Sequence, residues 1–210
     1  MYRALIVTAY IEHSCRQILK SINYDEVICA DGGYKKASEL GLHSDYLIGD
    51  YDSMEQPADK NCIVLPKEKD MTDTEAAIDY AVSKGNKMLY ILGGLGGRFD
   101  HTMGNIGMLS KYCNTDVKIV ICDDINCVFM SGPGTVRIPS NSYHYLGIIS
   151  HSDKTENLSL KGVKYPLSNY QLENNTSLGV SNEITCDYAE VSFSSGKLLI
   201  ILSNDSQDLK

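Results

Sequence analysis

Six aspartates stand at positions where a chain alternating strands with helices would gather them. Asp31, Asp50, Asp52, Asp70 and Asp100 each follow the carboxyl end of a predicted strand, and Asp73 opens a predicted helix. In Gly49-Asp50-Tyr51-Asp52-Ser53 two carboxylates are two residues apart, so in extended backbone both point to one side. Hard oxygen ligands at this density suit Mg²⁺, which takes one or two carboxylates and completes its shell with water and substrate phosphates. Asp73 also suits the first turn of a helix through the macrodipole, so for it alone a structural role competes.

The second constellation is Gly93-Gly94-Leu95-Gly96-Gly97-Arg98-Phe99-Asp100-His101. Its four glycines allow close backbone approach and present N–H groups to anions. Arg98 adds a planar fork for phosphate. Asp100 can cap the following helix or hold a metal, and His101 can donate to a phosphate or fill a structural role. The run is neither a P-loop nor a G-x-G-x-x-G fingerprint. Lys67 and Lys69 precede Asp70 and can neutralise phosphate charge or simply face solvent. These residue types point to a Mg²⁺-dependent enzyme acting on a nucleotide or another polyphosphate. They do not name a second substrate.

The elements that must position these groups form an α/β pattern with a largely parallel sheet. Apolar runs at residues 4–7, 27–30, 46–48, 62–65, 88–92 and 117–122 read as strands. Helices are expected at 15–22 with Ser14 as N-cap, at 34–40, from the capping-box pattern Thr72-Asp73-Thr74-Glu75 to about 84, and at 102–112. In an open parallel sheet all strand carboxyl ends share one edge, where ligands bind. Beyond the turn cluster Ser131-Gly132-Pro133-Gly134 the chain breaks into short Ser-, Asn- and Tyr-rich segments at 135–138, 143–149, 156–160, 190–193 and 197–202. That spacing predicts an all-β, sandwich-like domain. The expected domains are residues 1–132 and 133–210.

The chain of 210 residues carries 27 acids against 19 basic side chains, a net charge of −8. An acidic chain without a basic run is a poor ligand for nucleic acid. No stretch approaches the roughly 20 apolar residues of a membrane helix. The apolar run at 4–11 is too short for a signal peptide, so the cytoplasm is expected. The seven cysteines show no C-x-x-C pair and are expected as reduced, buried thiols, four of them (Cys29, Cys62, Cys122, Cys186) in strands.

Five blocks, in order, resemble the thiamine pyrophosphokinase family. They are Ala30-Asp31-Gly32-Gly33, Gly49-Asp50-Tyr51-Asp52-Ser53, Lys69-Asp70-Met71-Thr72-Asp73-Thr74-Glu75, the run GGLGGRFDHTMGN from Gly93 to Asn105, and Ser181-Asn182-Glu183. The resemblance implies an ATP-binding α/β domain, a β-sandwich domain that binds thiamine, and a homodimer with thiamine held between subunits. It implies transfer of the terminal pyrophosphoryl group of ATP to the thiamine hydroxyl, giving thiamine diphosphate and AMP. By motif, Asp50, Asp52 and Asp73 would hold Mg²⁺. Asp31, Gly32, Gly33, Asp50, Lys69, Gly94, Gly96, Gly97, Arg98 and His101 would bind ATP. Asp52, Asp73, Arg98 and Asp100 would carry the chemistry, and Asp70, Asp100, Ser181 and Asn182 would meet thiamine. Some family members stack thiamine on a C-terminal Trp. This chain has none, which leaves Tyr165, Tyr188, Phe193 or aliphatic packing. A Mg²⁺ phosphohydrolase and a non-catalytic nucleotide or thiamine sensor would use the same phosphate site.

Overall fold

The computed structural model describes residues 2–50, 61–66, 68, 70–140 and 142–205. Asp52, Lys67 and Lys69 lie outside the described residues. The chain forms two compact units, Met1–Asp124 and Ile125–Lys210.

The first unit holds strands β1 (Arg3–Val7), β2 (Glu26–Ala30), β3 (Tyr46–Gly49), β4 (Asn61–Val64), β5 (Met88–Leu92) and β6 (Lys118–Cys122). Its helices are α1 (Arg16–Ser21), α2 (Gly33–Glu39), α3 (Asp73–Ser83) and α4 (Phe99–Tyr112). The strands lie side by side in the order β4-β3-β2-β1-β5-β6, every pairing parallel. Ala4, Leu5, Ile6 and Val7 of β1 and Val27, Ile28, Cys29 and Ala30 of β2 are all buried. Strands covered on both faces need unbroken apolar runs rather than alternation. β4, at the edge, has no fully buried residue.

Helix α3 starts as its capping pattern requires. The Thr72 hydroxyl accepts from the Glu75 N–H at 3.1 Å. The Glu75 carboxylate, however, pairs with Lys111 of α4, which also bonds Asp79. Helix α1 departs from expectation. Its N-cap is Cys15, with no cap from its own side chain. The Ser14 hydroxyl accepts only from the Arg16 N–H, at 3.3 Å, while its carbonyl accepts from the Asp124 N–H at 2.8 Å. The helix start is capped from the end of β6, where Asp124 Oδ1 accepts from the N–H groups of Gln17 and Ile18 at 3.0 and 2.9 Å. Beside it, burial and the charges of Asp123 and Asp124 push the Cys15 thiol up to about 12, so it stays an inert thiol.

The second unit contains β7 (Asn126–Ser131), β8 (Gly134–Pro139), β9 (Tyr145–Ser150), β10 (Lys154–Lys161), β11 (Leu167–Glu173), β12 (Tyr188–Phe193) and β13 (Leu198–Ser203). Strands β7, β13 and β9 pair antiparallel, and β11, β10, β12 and β8 form a second antiparallel sheet. Inward residues alternate along the strands, as Leu146, Ile148 and Ser150 do on β9. Leu158, Leu160, Val191 and Phe193 from one sheet join Leu146, Leu198 and Ile200 from the other in a single core. Phe193 is therefore committed to packing. All seven cysteines are free thiols, and Cys186 is exposed, in a bend rather than a strand.

Asp124→Ala leaves two helix-start N–H groups without their buried acceptor and should destabilise the fold by about 1–3 kcal/mol. Chemical denaturation checks this, and an unchanged midpoint contradicts it.

Candidate active site

The first unit's connectivity creates a crevice. The chain runs outward from β1 through β2 and β3 to β4, then returns to place β5 on the other side of β1. The loops after β1 and β5 leave in opposite directions, which opens space at their carboxyl ends.

A cleft of about 300 Å³ lies on this edge, lined by Ala9, Ala30, Asp31, Asp50, Met71, Thr72, Asp73, Thr74 and His101. Three carboxylates thus arrive from three segments: the ends of β2 and β3 and the first turn of α3. Asp31 adopts a positive φ of 45°. Asp tolerates this region better than most side chains. Its N–H bonds the Ile48 carbonyl at 2.8 Å, extending the β2–β3 ladder. The chain then turns into α2 at Gly33, where a Cβ would collide with the Val7 carbonyl oxygen. Gly33 serves this close approach, and a Cβ at Gly32 would stand 3.2 Å from Ala9 Cβ.

The glycine loop joins β5 to α4. Gly93, Gly94, Gly96 and Gly97 all have positive φ. The loop is fixed from both sides. On α4, Asn105 Nδ2 donates to the Gly94 carbonyl at 2.8 Å and the Thr102 hydroxyl to that of Gly96 at 3.2 Å. On the β1 side, the Thr8 hydroxyl lies 3.0 Å from the carbonyl oxygens of both Leu92 and Tyr10. No sequence motif marks Thr8 or Tyr10. Thr102 and Asn105 carried a faint signal, being polar residues three apart on one helix face.

Arg98 and Asp100 are exposed at the start of α4 and do not line the cleft. They pair through two hydrogen bonds, Nη2–Oδ2 at 2.6 Å and Nε–Oδ1 at 3.2 Å. Asp100 also accepts from the His101 N–H at 2.9 Å. The Arg98 hydrogen bonds hold the Asp100 carboxyl below its ordinary value. Asp70 is exposed before α3 and is not in the cleft lining. Among the described residues no three His, Cys, Asp or Glu side chains form a metal cage.

In the second unit, Ser181 has a φ of 59° and precedes the buried Asn182. The Asn182 amide is already engaged. Its Oδ1 accepts from the N–H groups of Tyr165 and Glu183 at 3.0 and 2.9 Å, and its Nδ2 donates to the Tyr165 carbonyl at 2.8 Å. Asn182 therefore fixes the segment that presents the exposed ring of Tyr165. The ion pair of Lys164 with Glu183, 2.6 Å, braces the same segment. Tyr188 is also exposed.

Two family models divide the chain along these lines. The one described as thiamin pyrophosphokinase, catalytic domain, matches residues 16–121, and the one described as thiamin pyrophosphokinase, vitamin B1 binding domain, matches residues 135–198. The chain belongs to the thiamin pyrophosphokinase family. A thiamine pyrophosphokinase of Bacillus subtilis is 33% identical over 186 residues, spanning 85% of this chain and 87% of its own. One from Caenorhabditis elegans is 28% identical, over 74% of this chain and 68% of its own. The crystal structure of the Bacillus subtilis enzyme superposes with a TM-score of 0.88 at 28% identity, covering 98% of this chain and all of that one. That of a Geobacillus thermodenitrificans thiamin pyrophosphokinase gives 0.83 at 31% identity, over 99% of this chain and 100% of its own. In this member of the family, the segment matched by the catalytic-domain model contains Asp31, Asp50, Asp73 and His101, brought together at one cleft.

A depressed carboxyl value favours the ionised form. The Asp100–Arg98 pair is therefore intact above the ordinary carboxylate range and breaks as pH falls through the lower folded value. NMR titration should place the Asp100 midpoint below that of a free carboxyl. Arg98→Gln should move it back up, and a midpoint indifferent to Arg98 contradicts the pairing.

Proposed function

We propose that this chain transfers the terminal pyrophosphoryl group of ATP to the hydroxyl of thiamine, giving thiamine diphosphate and AMP. The observation that carries this is the convergence of Asp31, Asp50 and Asp73 at the carboxyl edge, beside a glycine loop that leads into Arg98. Carboxylates alone would repel a polyphosphate, so the donor set suits a hard divalent cation bound with the nucleotide. Asp50 and Asp73 would hold Mg²⁺, together with Asp52. When bound, Mg²⁺ would neutralise phosphate charge and orient the chain of phosphates.

The remaining steps belong to the protein. Asp31, Gly32 and Gly33 border the nucleotide, together with Lys69. Gly94, whose N–H is held by the Tyr10 carbonyl, shapes the phosphate loop, the N–H groups of Gly96 and Gly97 face the phosphates, and His101 donates from the cleft wall. The thiamine hydroxyl oxygen attacks the β-phosphorus in line. A new O–P bond forms there, and the bond from that phosphorus to the α,β-bridging oxygen breaks, so AMP leaves with that oxygen. Most of the rate comes from positioning and charge neutralisation. While Arg98 is paired with Asp100, that carboxylate is a weak base. Arg98 turning onto phosphate would free Asp100 to orient the hydroxyl and take its proton. Asp70 lies outside the cleft lining and would reach thiamine only from its rim. In the second unit, Ser181 and Asn182 shape the thiamine site, with exposed Tyr165 or Tyr188 in place of a Trp. The same proposal includes a cytoplasmic homodimer with thiamine bound between subunits; a single-chain mass in sedimentation would remove the dimer.

Incubation with ATP, Mg²⁺ and thiamine should release AMP only when thiamine is present, and EDTA should stop it. ADP in place of AMP would contradict attack at the β-phosphorus. Nucleotide loss indifferent to thiamine would indicate a hydrolase, and binding without turnover a sensor.

A further inference from the structure

The glycine loop rests on a segment to which the motifs assign nothing. Residues 8–12, leaving the end of β1, run against residues 93–97. The Tyr10 carbonyl accepts from the Gly94 N–H at 2.9 Å. A Cβ at Gly93 would strike that same carbonyl oxygen, and one at Gly96 would strike the Glu12 carboxylate. A Cβ at Gly97 would stand 2.8 Å from Tyr10 Cζ and 3.0 Å from both Cε atoms. Contact with the Tyr10 backbone excludes a side chain at Gly93, and the positive φ of Gly96 and Gly97 brings these two residues against the Glu12 carboxylate and the Tyr10 ring. The Tyr10 ring is not a core side chain, since 45% of the residue's surface stays exposed. It stands between the crevice-forming loops after β1 and β5.

We propose that Tyr10 is a positioning residue for pyrophosphoryl transfer. Its ring and carbonyl set the conformation of residues 93–97, and so aim the N–H groups of Gly96 and Gly97, and Arg98, at the ATP phosphates. This rests on the assignment of the glycine loop to ATP made above. Contact with the Gly97 side of the loop is made by ring carbons, so a phenyl ring should serve as well. The effect is confined to the nucleotide, because every contact named lies in the first unit.

The test uses the full chain with Tyr10→Ala and Tyr10→Phe. Calorimetry measures binding of Mg²⁺–ATP, and steady-state assays give KM for ATP and for thiamine. Tyr10→Ala should weaken ATP binding by at least about 10-fold, the scale expected when a binding group is misplaced by a fraction of an ångström. The thiamine KM should stay within about twofold, and Tyr10→Phe should restore ATP binding to within about twofold of the parent. If Tyr10→Ala fails to fold, Tyr10→Leu, which keeps an apolar side chain but removes the ring, should weaken ATP binding selectively. Unchanged ATP affinity in either folded variant overturns the proposal, as does an equal loss for both substrates. A parent chain that binds ATP but releases no thiamine-dependent AMP would overturn the transfer reaction, leaving Tyr10 to be judged by ATP binding. A parent chain that binds no ATP would overturn both.

Discussion

At the carboxyl edge of the parallel sheet, backbone meets backbone with no space for side chains between. Gly33 abuts the Val7 carbonyl where α2 begins, and Gly93 abuts the Tyr10 carbonyl where β5 ends. These contacts let α2 start directly after β2 and let the loop after β5 lie against the one after β1. Asp31, with its left-handed backbone, sits at the first contact, and the N–H groups of the glycine loop at the second. Larger side chains at either position would push the loops apart and dissolve the crevice between β1 and β5. The site is thus a consequence of how closely two turns can pass.

The electrostatics follow from the same edge. Parallel strands deliver their ends together, and three of the Asp residues at those ends or in the helices after them, Asp31, Asp50 and Asp73, line the cleft. The chain's net charge of −8 is in part the result of gathering acids where a cation and a polyphosphate would meet. Lysines elsewhere in the first unit do structural work, as Lys111 does between Glu75 and Asp79. Arg98 is the basic group closest in sequence to the glycine loop, and it is held by Asp100. An exchangeable partner of this kind keeps the guanidinium ordered and can be traded for phosphate without burying a charge.

Much of this was legible in the sequence. Buried parallel strands read as unbroken apolar runs, which made β1, β2, β3, β5 and β6 visible; edge strand β4 showed through Cys62-Ile63-Val64 although none of these is fully buried, and Thr72 marked the start of α3 truthfully. The first turn of α4 was hidden, because Arg98 offers no side-chain cap and the glycines mask helical periodicity. The cap of α1 could not be read locally, since its acceptor lies more than 100 residues away at Asp124. In the second unit β11 escaped notice because only Leu172 of its seven residues is buried. Asp31, Asp50 and Asp73, which line the cleft, were conspicuous as acids after apolar runs or at a helix start, but so were Asp70 and Asp100, which do not line it. Thr8 and Tyr10 were missed because their part is to support a loop 85 residues further on, and no local pattern encodes that.

Whether the carboxyl edge of the first unit is a single nucleotide site built by these loops is decided by amide hydrogen exchange with and without Mg²⁺–ATP. Protection should rise at residues 30–33, 71–75 and 93–101, with the amides of β8 to β12 unchanged. Protection confined to the second unit, or absent from the glycine loop, would contradict it.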